Sequence, residues 1–419
     1  MKKIIRLLVL IGLIFFGYTY FKNNNINIDS IKEKYADIKG KIIKVKEKSD
    51  IIIDAAKKLK DVDEKNNKKI VSLTLVGDLL FEQPFYNAVN NGYDKNIYFS
   101  KVKDYFENDD LSIANMEVVI GNDNMKTSGV GYNFCAPSWV GDLVSNLSFE
   151  VLGTANNHAY DRNNDGINST IDYFKNKSNI KTVGTRKNNS DSFLLYIEKN
   201  DIKFGITAYT YGTNQKPNSV DRELINYYKD ANGNIKKEQI KKDITELKNN
   251  SDVVIVLMHW GLEFRYEPNN EQKELAKYLN ELGVDIVVGS HSHNISPIEI
   301  IGEKNKTLVY YSLGNFVSHD DDIARTPVGE EEYDNAYQVG LLSKLNVTKQ
   351  DNNITIDTPK TELIVNYFDK DMNNFMLIPF KDYASDYEKN HYRYSKGLTK
   401  DFINNMYKKV IDEKYRYVY

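Results

Sequence analysis

Short apolar runs in this chain repeatedly end at residues whose side chains bind metals or phosphates. The runs and the polar residues after them are Val71–Gly77 before Asp78, Leu111–Ala114 before Asn115-Met116-Glu117, Val151–Ala155 before Asn156-Asn157-His158, Val253–Met258 before His259, and Val284–Gly289 ahead of His291-Ser292-His293. Runs this short and this rich in Val, Ile and Leu are typical of buried parallel strands. Ligands of open α/β sheets bind beyond the carboxyl ends of such strands. The pattern therefore predicts that these polar residues meet at one rim.

The same periodicity predicts an alternation of strands and helices. Strands are expected at 71–76, 111–114, 149–154, 181–183, 204–209, 253–258, 284–288 and 308–312, and helices at Val140–Leu147, Gly166–Lys175, Ile235–Lys248 and Glu271–Leu282. This order indicates an α/β fold, a doubly wound sheet with helices on both faces. Alternating residues at Tyr337–Val347 and Asn353–Val365 predict an antiparallel pair at the sheet edge. The segment from Pro379 to Tyr419 is predicted to be a helical, tyrosine-rich tail.

The N-terminus has a basic and then an apolar segment. Lys2, Lys3 and Arg6 precede the apolar stretch Leu7–Phe21, which is near the lower limit of about 17 residues for a membrane span. A cleaved signal peptide is the alternative, but its cleavage site would need small residues where this chain has bulky ones. We expect an uncleaved single-pass anchor in the cell membrane, with a cytoplasmic N-terminus and an extracellular main domain.

Four parts of the chain follow from these patterns. They are a basic tip and transmembrane anchor at 1–22, a charged helical stalk at 23–68, the main domain at 69–366, and a C-terminal helical extension at 367–419. The stalk is rich in Lys, Glu and Asp with irregularly spaced apolar residues, which is typical of a solvated helix.

Composition narrows the function classes. Hydrophobic residues make up 41% and charged residues 27% of the chain, and the net charge is −3. This composition is typical of a globular protein. It argues against a nucleic-acid partner, because a protein that binds nucleic acid would normally have a basic stripe. The single cysteine, Cys135, excludes an intramolecular disulfide, which suits a bacterial surface protein with a large core.

The histidines at the strand ends have two interpretations, as metal ligands or as ordinary structural residues. His291 and His293 are two residues apart, so in extended chain they point to the same side and can bind one metal or two neighbouring metals. Gly289 leaves room for a close approach of backbone. Such pairs also occur in ordinary cores and on surfaces, and His259 could simply bind a backbone carbonyl. Glu263 could orient an imidazole from outside the ligand set, or be a solvated loop acid.

The remaining strand ends add oxygen ligands and a proton donor. The amide oxygen of Asn157 is a neutral ligand for a hard cation, and His158 could donate a proton to developing negative charge. A polar loop before a helix would have similar residues. Asp78 and Glu117 would supply negative charge, and carboxylate plus imidazole without thiolate favours Mn, Fe or Zn. Recurrence at five strand ends favours the metal site over separate structural roles.

At this point the motifs resemble a known family, the CapA-type poly-γ-glutamate capsule synthesis proteins, whose domain is similar to calcineurin-like metallophosphoesterases. The matching segments, in order, are 76–78, 114–117, 155–161, 259–263, 288–293 and 312–317. They span most of the chain beyond the stalk. The resemblance implies a four-layer α/β sandwich of metallophosphoesterase-like type, preceded by the transmembrane helix and helical stalk.

The resemblance also implies roles for individual residues. Asp78 and His293 would bind one metal, Glu117 would bridge two, and Asn157, His259 and His291 would bind the second. His158 would be the catalytic proton donor or transition-state stabiliser. The residues expected to support the ligands or contact the substrate are Asn115, Asn156, Glu263 and Asn315.

Two departures from the phosphoesterase pattern bear on the metal count. Phosphoesterases typically begin with Asp-x-His, whereas Leu79 and Leu80 follow Asp78 here. Their second motif is Gly-Asp-x-x-Asp or similar, whereas this chain has Asn115-Met116-Glu117. The first site therefore lacks the imidazole that the first motif would supply, so one or two divalent transition-metal ions are expected.

Three functions stay open. The first is a membrane-anchored factor in poly-γ-glutamate capsule synthesis or export, acting on an anionic polymer or cell-wall substrate, with a capsule synthase complex as partner. Arg265, Lys273 or Arg325 could hold the polymer, or be ordinary surface charges. The second is an extracellular metal-dependent phosphoesterase, and the third is a non-catalytic scaffold with a vestigial site. Enzymatic activity is left undecided by the sequence.

Overall fold

The computed structural model describes residues 33–34, 36–46, 48–50, 52–54, 68–319 and 331–417. The predicted transmembrane anchor at 1–22 and Arg325 lie outside these residues. Among the described residues, no helix combines the length and the apolar character that a bilayer crossing requires.

The chain divides into two compact units at Lys68 and Lys69. In the first unit, the described residues between 33 and 54 are helical. They lie within the predicted stalk at 23–68. Their apolar residues, such as Ile42, Ile43 and Val45, are exposed.

The second unit alternates strands and helices, as the sequence predicts. Its strands are β1 (Lys68–Leu79), β2 (Leu111–Met116), β3 (Val151–Gly153), β4 (Lys181–Val183), β5 (Leu195–Lys199), β6 (Ile202–Thr210), β7 (Val253–His259), β8 (Ile286–Ser290), β9 (Ile298–Ile301), β10 (Thr307–Tyr310), β11 (Asn315–Val317), β12 (Val339–Gln350), β13 (Asn353–Ile356), β14 (Lys360–Phe368) and β15 (Phe375–Pro379). Its α-helices are α1 (Gln83–Asn90), α2 (Asp104–Glu107), α3 (Ser138–Ser145), α4 (Asn163–Lys177), α5 (Ser219–Arg222), α6 (Lys237–Asn250), α7 (Asn270–Leu282), α8 (Glu331–Ala336), α9 (Ser385–Asn390) and α10 (Lys400–Val410).

These strands form two mixed sheets. The first has the order β15-β14-β12-β1-β2-β3-β4, with β11 paired to β1 and β13 paired to β12. The second has the order β5-β6-β7-β8-β10-β9. The first sheet has a parallel block, β1-β2-β3-β4, that ends at the edge strand β4, with the antiparallel pairs β12-β14 and β14-β15 on its other side. In the second sheet the parallel block β6-β7-β8-β10 is central, and antiparallel pairing adds β5 and β9 at the two edges.

The two sheets pack against each other, and helices cover their outer faces. Along β7, Val253 and Ile255 belong to the core between the sheets, whereas Val254 and Val256 belong to the core under α6 and α7. Successive residues of a strand point to opposite faces, so both faces of β7 are buried. On the other side of the molecule, α1, α3 and α4 pack on the first sheet. The layers therefore run helix, sheet, sheet, helix, which is the four-layer order that the resemblance implies, and the expectation of a doubly wound sheet from the periodicity is wrong.

The C-terminal part of the chain also differs from its prediction. Strand β12 lies beside β1 inside the first sheet. Strand β15 lies at an edge of that sheet, although its residues were predicted to belong to the C-terminal helical extension. Helix α10 contributes Ile403 and Met406 to the core between the sheets. No boundary between residues 366 and 367 appears, because β14 crosses that position and residues 69–419 form one compact unit.

Candidate metal centre

Strand register brings the polar strand ends together. Asp78, near the end of β1, pairs with Asn115 of β2 on one side and with Asn315 of β11 on the other. In the second sheet His259, the last residue of β7, pairs with Ser290, the last residue of β8. The carboxyl ends of both parallel cores therefore contribute to one rim.

Asp78 lies at the floor of this rim and is fully buried. Its Oδ1 accepts a hydrogen bond from Asn115 Nδ2 at 2.7 Å, and its Oδ2 accepts one from the backbone N–H of His291 at 3.1 Å. The same Oδ2 is 3.6 Å from Nδ1 of His293. Asp78, on β1 of the first sheet, thus directly contacts the histidine segment 291–293, which follows β8 of the second sheet.

Glu117 follows β2 directly and is also fully buried. Its Oε1 is 3.4 Å from Nε2 of His259 and 3.9 Å from Nε2 of His293. Among the described residues, Oε1 has no hydrogen-bond partner. A buried carboxylate oxygen without a donor is costly unless a cation or proton compensates it.

His259 and Asn157 meet beside Glu117. Nε2 of His259 is 2.8 Å from Oδ1 of Asn157, and Nδ1 is 2.9 Å from Oγ of Ser290. When Nδ1 carries the ring proton and donates it to Ser290, Nε2 presents its lone pair beside two oxygen atoms. Such an outer partner is the usual way in which a metal-ligating imidazole is oriented.

The segment 291–293 has an unusual backbone. His291 has φ of +92° and His293 has φ of +56°, a region that residues with a Cβ rarely occupy. Nδ1 of His291 is buried without a partner among the described residues, and Nδ1 of His293 is 2.9 Å from Oδ1 of Asn315. Upstream, a Cβ at Gly289 would lie 2.1 Å from the carbonyl oxygen of Tyr311, so the close backbone approach predicted there is present.

Burial shifts the acids and the imidazoles in opposite directions. It raises the pKa of Asp78, and it raises the pKa of Glu117 well above its usual range, with the charge of Asp78 adding to the rise. Burial, followed by the neighbouring imidazoles, lowers the pKa of His259 and of His291 well below the usual range. The imidazoles are thereby kept in the neutral form that a metal requires.

Three overlapping triads could hold metal ions, since their ligand atoms all lie within 4.8 Å of one another. They are Asp78, Glu117 and His293; Glu117, His259 and His291; and Glu263, His291 and His293. The donor set is carboxylate and imidazole without thiolate, which fits a transition-metal ion. The partnerless Glu117 Oε1 and His291 Nδ1 are donor atoms that such an ion would satisfy.

His158 lies at the edge of this cluster. Its Nδ1 is 2.6 Å from Oδ2 of Asp161, and its Nε2 is 3.4 Å from Nδ2 of Asn214. His158 also lines a cleft together with Leu80, Tyr132, Glu263, Phe264 and His293. Among the described residues that line this cleft there is no Lys or Arg.

The supporting residues named from the sequence occupy different positions. Asn115 contacts Asp78 and lies 3.4 Å from Glu117 Oε2, and Asn156 donates to the Met116 carbonyl at 2.7 Å, so both lie beside the ligands. Asn315 contacts His293. Glu263 has no hydrogen bond to an imidazole among the described residues, and Ser290 rather than Glu263 is the Nδ1 partner of His259.

Sequence analysis missed several residues of this site. Ser290 and Tyr211 were not selected, yet Ser290 contacts His259 and the Tyr211 ring lies 4.7 Å from the His291 ring. Tyr211 directly follows β6, so the rule that drew attention to the other strand ends could have found it. Of the two described candidate polymer-binding cations, Arg265 lies over the Tyr333 ring at 5.4 Å, and Lys273 is exposed on α7.

Comparisons with known proteins agree with the resemblance. The family model of bacterial capsule synthesis proteins matches residues 72–320. The capsule biosynthesis protein CapA of Bacillus anthracis is 28% identical over 267 residues, covering 61% of each chain. The PGA biosynthesis protein CapA of Bacillus subtilis is 30% identical over 253 residues, covering 59% of this chain and 63% of the relative. The match thus spans about three fifths of the length of these relatives.

The solved structures that match part of this chain include a phosphatase and a calcineurin-like phosphoesterase. A novel phosphatase from Mycoplasma pneumoniae has a TM-score of 0.41 at 15% identity, covering 71% of this chain and 94% of that one. A calcineurin-like phosphoesterase from Bacillus subtilis has a TM-score of 0.39 at 14% identity, covering 71% of this chain and 90% of that one.

The family match covers more than half of the 419 residues and includes every predicted ligand. The resemblance drawn from the motifs is therefore confirmed, and the chain belongs to the family of bacterial capsule synthesis proteins.

Proposed function

We propose that this protein is a membrane-anchored, extracellular component of capsule synthesis or export, in which a metal centre binds an anionic group of the capsule polymer. Its relatives are named as capsule and PGA biosynthesis proteins. The observation that carries the proposal is the convergence of three acid–imidazole triads around the partnerless Oε1 of Glu117. The anchor at 1–22 and the poly-γ-glutamate polymer belong to the same proposal.

The ligands divide between two ions, each Mn, Fe or Zn. Asp78 and His293 would hold one ion, and Asn157, His259 and His291 the other. Glu117 would be shared, because its Oε1 lies close to both His259 and His293. Bound ions would supply Lewis-acid polarisation of a carbonyl or phosphoryl oxygen. They would also supply the positive charge that the described lining of the cleft lacks.

His158 would act on the leaving group. Oδ2 of Asp161 lies 2.6 Å from Nδ1 and accepts its proton, which fixes the orientation of the imidazole. The Nε2 proton would then be donated to the departing atom, a general-acid role worth about 10²–10⁴ in rate. Such a donor serves cleavage of an amide and of a phosphoester equally.

A metal-dependent phosphoesterase acting on cell-wall or other phosphorylated substrates is the second candidate. The specific observation in its favour is the His158–Asp161 pair beside a centre that could hold two ions. A non-catalytic scaffold would keep the ligands but would not need this pair.

The test uses the full chain purified in detergent, with metal content measured before each assay. Poly-γ-glutamate shortening, a phosphodiester and a phosphomonoester are assayed side by side. We expect a bound transition metal and a loss of turnover in His158→Asn and Asp161→Asn at unchanged metal content. Asp165→Asn, an exposed acid four residues further along the chain, is the matched control.

The outcomes separate the candidates. Shortening of poly-γ-glutamate supports the proposed role in capsule synthesis or export. Turnover of a phosphoester alone supports the metal-dependent phosphoesterase. Metal binding with no turnover of any of the three substrates supports the scaffold. A wild-type chain that binds no transition metal after loading contradicts the metal centre itself.

A further inference from the structure

We propose that Glu263 is itself a metal ligand, and that it replaces the imidazole that the first motif lacks. The inference rests on the metal centre proposed above. Among the described residues, the Glu263 carboxylate and the rings of His291 and His293 form one of the three triads, with all ligand atoms within 4.8 Å of one another. Ligands at about 2.0–2.2 Å from one ion lie up to about 4.4 Å apart. The upper limit on the separation of these ligand atoms is therefore close to what one ion can span.

The backbone holds Glu263 opposite the two histidines. Two hydrogen bonds join the loop after β7 to the histidine segment, from Trp260 N–H to Ser290 O at 3.3 Å and from Phe264 N–H to Ser292 O at 2.8 Å. Glu263 lies between them in sequence. The carboxylate is thus placed by main-chain contacts rather than by a flexible surface loop.

The loop adopts a costly conformation to make this approach. Gly261 has φ of +92°, and a Cβ there would lie 2.6 Å from the Gln272 side chain. Phe264 has φ of +57°, and it faces a segment in which His291 and His293 are also left-handed. Strained non-glycine residues concentrate at ligand sites, where the surrounding structure maintains them.

The sequence position of the first-motif histidine, occupied here by Leu80, lies in the same cleft. Leu80, two residues after Asp78, has no ligand atom and lines the cleft together with Glu263 and His293. Glu263 is therefore a carboxylate that could complete the ligand set of the ion that His293 would hold, and it also lies near His291, a ligand of the neighbouring ion. With Asp78 and Glu117 it brings three negative charges, which would leave two divalent ions with a residual positive charge for one anionic group.

An orienting role for Glu263 is open only at His291, whose Nδ1 is buried without a partner among the described residues. His259 already has Ser290 at Nδ1 and Asn157 at Nε2, and His293 has Asn315 at Nδ1. The ring atom of His293 that remains, Nε2, is the one near Glu117. Glu263 consequently competes with no existing partner when it ligates.

The experiment compares Glu263→Gln, Glu263→His and the matched control Glu267→Gln, an exposed acid four residues further on. Mn²⁺ binding to the full chain in detergent is measured by calorimetry, and Co²⁺ absorption reports the ligand field. We expect Glu263→Gln to weaken one bound equivalent by more than about 100-fold, beyond the range for losing only an outer partner of a ligand, and Glu267→Gln to match the wild type. Glu263→His should retain the equivalent with an altered Co²⁺ spectrum, because imidazole is also a ligand.

Two results would overturn the inference. One is Mn²⁺ binding by Glu263→Gln equal to that of the wild type. The other is equal weakening in Glu263→Gln and Glu263→His, which would mean that only the charge matters. Melting curves in chelator exclude misfolding. A wild-type chain without metal would instead refute the proposed function, so the two failures are distinguishable.

Discussion

The two sheets contribute chemically different halves to the candidate metal centre. The first sheet supplies acids and amides, among them Asp78, Glu117 and Asn157, whereas the second supplies His259 and His291. All are buried, but burial has opposite consequences. It raises the pKa of the acids, and it lowers the pKa of the imidazoles.

This difference indicates which half requires the ion. The neutral imidazoles are already in their ligand form, and His259 has hydrogen-bond partners without metal. The acids are favoured in the neutral form by burial, and a bound cation would compensate their ionised form. The acid half should therefore gain most from metal, while the imidazole half should contribute to stability in its absence.

The largest expected effect comes from removing the shared acid. Glu117→Gln should lower Mn²⁺ affinity by more than about 100-fold, the upper figure for losing only an outer partner of a ligand. Without metal, its melting temperature should equal or exceed that of the wild type, because a neutral amide replaces a buried carboxyl without a partner at Oε1. Calorimetry and melting in chelator check the two parts, and a lower metal-free melting temperature would contradict the comparison.

Removing an imidazole should have the reverse signature without metal. His259→Ala leaves a cavity and removes contacts with Ser290 and Asn157. The metal-free unfolding free energy should fall by about 2 kcal/mol. Denaturant unfolding in chelator measures it. Stability unchanged from the wild type would mean that both halves depend on the ion alike.

A smaller effect is expected from the residue that orients His259. Ser290→Ala keeps every ligand but removes the hydroxyl 2.9 Å from Nδ1. Mn²⁺ affinity should fall by about tenfold, with the number of bound ions unchanged. Calorimetric stoichiometry separates this outcome from the loss of a ligand. Ser292→Ala, whose hydroxyl donates to Asn294 O, is the comparison variant.

The smallest effect separates burial from metal binding by using a histidine away from the rim. Burial lowers the pKa of His391 to about 4, and Nε2 lies 2.9 Å from the Asn366 carbonyl oxygen. The unfolded chain, with a histidine pKa near 6.5, binds more protons below that pH, so stability is present above pH 6.5 and is lost as pH falls toward 4. The His391 contribution to the loss between pH 7.5 and 5.5 should be about 1 kcal/mol.

Chemical denaturation at several pH values, compared between wild type and His391→Gln, isolates this contribution. The variant should lose less stability on acidification. Parallel curves for the two proteins would mean that His391 does not titrate differently in the folded chain.

The carboxyl ends of the parallel strands were predictable, because each apolar run in the sequence is followed by a polar residue where the strand ends. Asp78 and His259 were found in this way, and register then determined their neighbours. The existence of two sheets was not predictable from the hydrophobic pattern, and only the family resemblance implied it. A strand such as β7 is apolar on both faces whether the second face meets a helix or another sheet. The sequence pattern is therefore the same in both cases.

Other features escaped for reasons of chemistry and geometry. Ser290 became significant only through the 2.9 Å contact that β7–β8 pairing creates. The edge strand β15 was placed at the start of the helical tail, since its five residues are too few to reveal a period. The left-handed backbone of His291 and His293 could not be predicted from their residue type, because glycine is the residue expected in that conformation.

The pairing of Asp78 with Asn315 has a consequence for the order of assembly. These two residues are separated by more than half of the chain, and the Asp78 N–H donates to Gly314 O at 3.0 Å. A nascent chain therefore cannot position its first acid until the strand around residue 315 has been synthesised and docked. Occupancy by a cation would accordingly report completed folding, and half-made chains would remain unloaded.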